Sequence, residues 1–185
     1  MKEEIYKALE VLKEGGLILY PTDTVWGIGC DASNGDAVQK VYALKQRAEA
    51  KALITLVGNE VMLERTVVDM PEIAWDLLEA SDTPLTIIYD QVKGIAKNAV
   101  AKDGSCAIRL PQNDFCQRLI QRLGKPLIST SANISENPTP KSFQDINAVI
   151  LSGVDYVVNL QQNESGKKSS SIIQLKNNGQ IKIIR

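Results

Sequence analysis

Two periods of apolar residues alternate along this chain. Over residues 3–14, Ile5, Ala8, Leu9 and Leu12 recur at three- and four-residue steps, which sets them on one face of a helix. Gly15-Gly16 ends that helix. The same spacing predicts helices over 34–45, 71–80, 113–123 and 142–151. Each carries a start or stop signal: Asn34 as an N-cap, Pro71 in a first turn, Gly124 as a stop, and Ser142 with Asp145 as a variant capping box. Between them, short apolar-rich runs predict strands over 17–20, 52–57, 84–89, 105–110, 126–130 and 154–158. Two further strands, 171–175 and 180–184, flank Asn177-Asn178-Gly179 and read as a closing hairpin. Strands alternating with helices predict one α/β domain over residues 1–185, a twisted mixed sheet flanked by helices. The antiparallel end argues against a purely parallel, doubly wound sheet.

One segment breaks the pattern. After the apolar Leu17-Ile18-Leu19, the stretch Tyr20 to Cys30 packs in a proline, two threonines, an aspartate and two glycines. That composition makes a poor strand interior and a poor helix. It predicts a strand that ends abruptly in a loop rich in hydroxyls and backbone N–H groups, the kind that holds polar ligands.

Composition narrows the chemistry. A hydrophobic content of 44% and a charged content of 23% place the chain among soluble globular proteins. The net charge of -1 lacks the field of a general nucleic-acid binder. Cys30, Cys106 and Cys116 are odd in number and show no C-x-x-C spacing, so they read as reduced, buried thiols. With no signal-peptide pattern at Met1-Lys2-Glu3-Glu4 and no apolar run of membrane length, the expectation is a cytoplasmic protein with no membrane partner. Histidine is absent, which excludes a Ser-His-Asp triad, a Cys-His pair and any histidine metal site. Neither a P-loop nor a G-x-G-x-x-G fingerprint occurs.

The remaining candidates each carry two readings. Lys45 falls on the inward side of its helix, two turns after Val38, with Arg47 and Lys51 close behind. Such a cluster suits a polyphosphate, or it stabilises the helix C-terminus. Ser129-Thr130-Ser131-Ala132-Asn133-Ile134-Ser135 follows a short strand and offers donors and acceptors to a ligand, or a turn bonded to itself. Ser105 and Arg109 lie four apart on one strand and therefore on one face, where a buried arginine needs a carboxylate or an anionic ligand. Gly166 to Ser171 reads as a lid or as a solvated loop.

Together these segments resemble the YrdC family of threonylcarbamoyl-AMP synthases. Tyr20 to Cys30 is similar to the family's Y-P-T-[DE]-T-[VY]-[YW]-G-L-G segment, Lys45-Gln46-Arg47 to its K-x-R element, and Ser131-Ala132-Asn133 to its S-x-N element. Ser105 to Pro111 resembles T-V-A-V-R-x-P, and Ser170 to Ile173 resembles S-T-V-V. Five motifs occur in order, from about residue 5 to the last residue. The chain departs from the pattern at Ala48 and Ala52, where the family has proline, at Asn113 for histidine and at Glu136 for glycine. Its length resembles the short, single-domain form.

The resemblance implies a YrdC/RibB-like fold and an L-threonylcarbamoyladenylate synthase. Such an enzyme joins L-threonine, bicarbonate and ATP into threonylcarbamoyl-AMP and pyrophosphate, which downstream tRNA threonylcarbamoyl transferase proteins use to modify tRNA. Lys45 and Arg47 are the candidate catalytic residues, set against the phosphates. Ser105, Ser131, Asn133, Thr139 and Arg185 fall to the nucleotide. Thr22, Arg109, Ser129 and Ser171 fall to threonine, with Arg109 on its carboxylate, and Thr24 supports the loop. Mg²⁺ comes with ATP and needs few protein ligands, Asp23 being the one candidate. Two alternatives stay open: a module binding double-stranded RNA or tRNA without making the adenylate, and a nucleotide-dependent carbamoyl transferase with another acceptor or donor.

Overall fold

A computed structural model of the protein describes residues 1–47, 53–164 and 168–185. Ala48, Lys51, Ala52 and Gly166, singled out above, lie outside the described residues. The chain runs α1 (Lys2–Lys13), β1 (Ile18–Tyr20), β2 (Gly27–Asp31), α2 (Gly35–Lys45), β3 (Ile54–Leu56), α3 (Glu60–Thr66), α4 (Ile73–Glu79), β4 (Leu85–Tyr89), β5 (Cys106–Arg109), α5 (Asp114–Leu123), β6 (Leu127–Ser131), α6 (Ala148–Gly153), β7 (Tyr156–Val157), β8 (Ser171–Leu175) and β9 (Ile181–Ile183). The strands form one sheet in the order β7-β1-β2-β6-β3-β5-β4-β8-β9. The pairs β1/β7, β3/β5 and β4/β8 are parallel and the rest antiparallel, so the sheet is mixed, as expected. The hairpin of β8 and β9 is present.

Alternation along the strands decides which helix covers which face. Ile18 and Tyr20 of β1, Leu56 of β3 and Leu127 of β6 pack with Ile5 and Leu12 of α1 and with Phe115 and Leu119 of α5. Leu19, Ile28, Cys30 and Ile128 point the other way, against Val38 and Val41 of α2. A third cluster joins Leu63 of α3 and Ala74 of α4 to Ile87, Ile108 and Ile173.

The segment Tyr20 to Cys30 is only partly the loop its composition predicts. Residues 21–26 are loop, but Gly27–Asp31 is a fully buried strand between β1 and β6. The reason is steric. A Cβ at Gly29 would stand 2.7 Å from the Tyr20 ring and 2.8 Å from the Ile128 carbonyl oxygen. Glycine here lets the Tyr20 ring lie against the sheet, a packing role that outweighs its low strand propensity. Trp26 belongs to the core and packs against Phe143 with ring centroids 4.9 Å apart and the planes tilted by 52°.

Two other expectations change. Helix α3 is an addition, opened by the Asn59 side chain accepting from the Met62 N–H at 2.8 Å; its buried residues are Leu63 and Thr66, too few to show a period. The helix expected over 142–151 is split. Ser142 and Asp145 do form a capping box, but it closes only the short 3₁₀ turn Phe143–Asp145. The Asn147 side chain then accepts from the Val149 N–H and starts α6 afresh.

Candidate active site

Sheet register assembles the site. Ser129 of β6 sits opposite Gly29 and Ile54, Arg109 of β5 opposite Leu56 and Thr86, and Thr86 opposite Ile172. Directly paired residues share a face, so these side chains stand on the face where α1 and α5 cover Leu56 and Leu127. Beyond the reach of those helices, the floor opens as a cleft of about 230 Å³. Its walls hold three arginines (Arg47, Arg109 and Arg185) and the hydroxyls of Thr24, Ser129, Thr130, Ser131, Thr139, Ser169 and Ser170. No Asp or Glu side chain lines it among the described residues. In a chain of net charge -1, that is a local concentration of positive charge and hydroxyl donors. It fits an anion that carries both phosphates and a carboxylate.

Arg109 is the most constrained of the three. Its side chain is 4% exposed, and its Nη1 donates to Asp23 Oδ1 at 2.6 Å. The second Asp23 oxygen accepts the Gln112 backbone N–H at 3.0 Å. Asp23 is therefore engaged through both oxygens. The Arg109 Nε is buried with no hydrogen-bond partner.

The two cations of the K-x-R element part company. At the end of α2, Gln46 takes a left-handed conformation (φ 49°) and Arg47 N–H turns back to the Tyr42 carbonyl at 2.9 Å. That turn delivers Arg47 to the cleft, where burial lowers its pKa. Lys45, 1% exposed, instead donates to the main-chain carbonyls of Ser131 and Asn133, the latter at 2.6 Å. Burial and the Arg47 charge bring its pKa down to about 8. Its own carbonyl accepts the Ser135 N–H at 2.8 Å. In this structure Arg47 lines the cleft, whereas Lys45 lies outside its lining and holds the S-A-N turn through the Ser131 and Asn133 carbonyls.

The other candidates sort as follows. Ser129, Ser131, Thr139 and Arg185 line the cleft, the Arg185 guanidinium donating to the Ser170 carbonyl at 3.1 Å through Nη2. Asn133 lines an adjoining recess of about 400 Å³ that shares Thr139. Its amide donates to the Ile134 and Asn137 carbonyls, while Oδ1 is buried without a partner. Thr22 lines a second recess of about 250 Å³ that shares Thr24 and Val25 with the cleft. Its hydroxyl donates to the Val25 carbonyl at 2.8 Å and meets the Thr24 hydroxyl at 2.9 Å, so it shapes the loop. Ser105 stays outside the cleft, its hydroxyl on Asp103 at 2.7 Å.

Ser171 is exposed, whereas the neighbouring Ser170 is buried, lines the cleft and bonds the Thr86 hydroxyl at 2.8 Å. Strand faces alternate, so a shift of one residue exchanges the roles. A run of three serines, Ser169 to Ser171, carries no signal of that phase. Thr130, Ser169 and Ser170 also line the cleft; they fall in segments the sequence singles out, but none of them was assigned to a ligand.

Two of the departures from that pattern can be placed, Asn113 with a reason and Glu136 without one. Asn113 caps α5, its Oδ1 accepting the Cys116 N–H at 3.0 Å. Glu136 sits at φ 69°, the left-handed region where the family's glycine costs nothing. Among the described residues no group of three His, Cys, Asp or Glu side chains could hold a metal ion, and no helix is long and apolar enough to cross a membrane.

A family model, Sua5_yciO_yrdC, described as "Telomere recombination", matches residues 10–185. The chain is 32% identical over 181 residues to a protein of Pseudoalteromonas translucida (strain TAC 125) named threonylcarbamoyl-AMP synthase, covering 96% of this chain and 95% of that one. It superposes on P. abyssi Sua5 complexed with L-threonine with a TM-score of 0.82 and 26% identity. That match takes in 92% of this chain but spans only about half (50%) of the P. abyssi chain. E. coli YciO, at 22% identity, shares the fold with a TM-score of 0.85, covering 100% of this chain and 89% of that one.

Proposed function

The chain belongs to the Sua5/YciO/YrdC family, and from that premise we propose that it makes threonylcarbamoyl-AMP and pyrophosphate from L-threonine, bicarbonate and ATP. The observation that carries this reading is a cleft that holds three arginines and, among the described residues, no Asp or Glu side chain, together with the unpartnered Nε of Arg109. The substrates present a polyphosphate, a carboxylate and a carbamate to one another, and mutual repulsion is the first obstacle. Fixed cations and hydroxyl donors offset it, and positioning supplies much of the rest.

Threonine binds with its carboxylate on Arg109 and its polar atoms among Ser129, Thr130 and Ser170. Its neutral amine condenses with bicarbonate to a carbamate, releasing water. One carbamate oxygen then attacks the α-phosphorus of ATP, a P–O bond forms, and pyrophosphate departs with the electron pair of the broken bond. Arg47 and Arg185 face the phosphates, and the turn from Ser131 to Asn133, with Thr139, holds the nucleoside side. Lys45 keeps that turn in shape. None of these steps needs histidine. No Asp or Glu side chain lines the cleft among the described residues, so Mg²⁺ arriving with ATP would find few protein ligands there and would supply charge neutralisation at the phosphates. The product is a mixed anhydride, consumed by tRNA threonylcarbamoyl transferase proteins in the cytoplasm.

Thermal unfolding tests the substrate assignment. Threonine with ATP and Mg²⁺ should raise Tm by several degrees, as expected of ligands that bind only the folded state, and serine or valine should do less. Equal shifts from all three amino acids would contradict a threonine site.

A further inference from the structure

Asp23 touches the cleft arginine but does not line the cleft. A guanidinium has two usable edges, and the one formed by Nε and Nη2 lies away from Nη1. Asp23 holds Nη1 alone. Among the described residues neither Nε nor Nη2 has a hydrogen-bond partner, and Nε is buried. Asp23 is itself tied down by the Gln112 N–H, three residues after Arg109, so carboxylate, guanidinium and loop close a small ring. Both partners are nearly sealed from solvent, at 4% and 7% exposure, where an unpaired cation is costly and a paired one is held in place.

We propose that Asp23 is a positioning residue for threonine: it neutralises and orients Arg109 so that the Nε–Nη2 edge is presented, in bidentate geometry, to the substrate's carboxylate. The inference rests on the reading of the cleft as a threonine site. It adds that the acidic residue of the loop acts through the arginine, with no contact to substrate or metal. It also gives the unpartnered Nε a purpose, since a side-on carboxylate satisfies Nε and Nη2 together.

The experiment is steady-state kinetics on the full chain for Asp23→Ala, Asp23→Asn and Asp23→Glu, with KM for threonine, KM for ATP, kcat and Tm recorded for each. Asp23→Ala should raise the KM for threonine about tenfold or more while the KM for ATP stays within about twofold. Asp23→Asn keeps an acceptor for Nη1 and the shape of the loop, and should fold even where the alanine variant does not. It should still raise the threonine KM, through the lost charge. Asp23→Glu should recover part of the loss. Unchanged threonine KM in folded Asp23→Asn, or equal rises in both KM values, would overturn the proposal. If the wild-type chain itself shows no response to threonine, the underlying site assignment fails instead, and the two failures are told apart by that control.

Discussion

Lys45 and Arg47 show how two cations two residues apart come to different ends. The lysine lies on the inward face of α2 and reaches two carbonyls of the S-A-N turn; the arginine follows a left-handed residue and enters the cleft. Sequence reasoning offered helix stabilisation and phosphate binding for both together. The structure divides those roles, because the left-handed turn at Gln46 is not written in any periodicity. Arg47→Ala should therefore lower kcat/KM for ATP by about one to two orders of magnitude, a larger effect than its change in Tm, since it removes a cleft cation set against the phosphates. Lys45→Met should instead cost about 1–3 kcal/mol of stability, because two buried carbonyls lose their donor. The pH dependence has a defined sign. Burial lowers the Lys45 pKa to about 8, so below that pH the lysine is charged in both folded and unfolded states and its burial penalty is complete. Between pH 8 and about 10.5 the folded state releases the proton first and the penalty fades. The wild type should thus gain stability relative to Lys45→Met as pH rises through that window, measured as the difference in Tm at pH 7.5 and 9.5. An equal loss of Tm and of activity in Arg47→Ala would return the arginine to a structural role.

At the scale of elements, legibility followed length and phase. The longer helices α1, α2 and α5 were readable with their caps, since Asn34 accepts from the Asp36 and Ala37 N–H groups as expected and Gly124 ends α5 at φ 70°. Strand β2 was not readable, because its glycines answer to the Tyr20 ring, a contact seven to nine residues away that composition does not encode. Gly29→Ala tests this account. Its new Cβ would press on the ring and on the Ile128 carbonyl oxygen, a backbone atom that cannot swing aside, so the loss should be about 3 kcal/mol by denaturant titration. A change under about 0.5 kcal/mol would mean that the strand has room and that glycine serves another purpose. The start of β8 was legible as a strand and illegible in phase, and that phase exchanged Ser171 for Ser170.

Over the whole molecule, the cleft draws on residues from Thr24 to Arg185, brought together by the strand order from β2 across to β8. Individual motifs located most of its components. What they could not convey was which side chains were already engaged: Thr22 within its own loop, Ser105 on Asp103, and Asp23 on Arg109. Charge is also distributed at this scale. The net charge is only -1, yet the cleft collects three arginines and no Asp or Glu side chain among the described residues, which favours a small anionic substrate over a surface-wide contact with nucleic acid. The most direct measurement of the central claim is pyrophosphate release from ATP with Mg²⁺, omitting threonine and bicarbonate in turn. The account predicts release that requires both, with threonylcarbamoyl-AMP as the other product by mass. Pyrophosphate formed at the same rate without threonine, or none with all the substrates present, would contradict it.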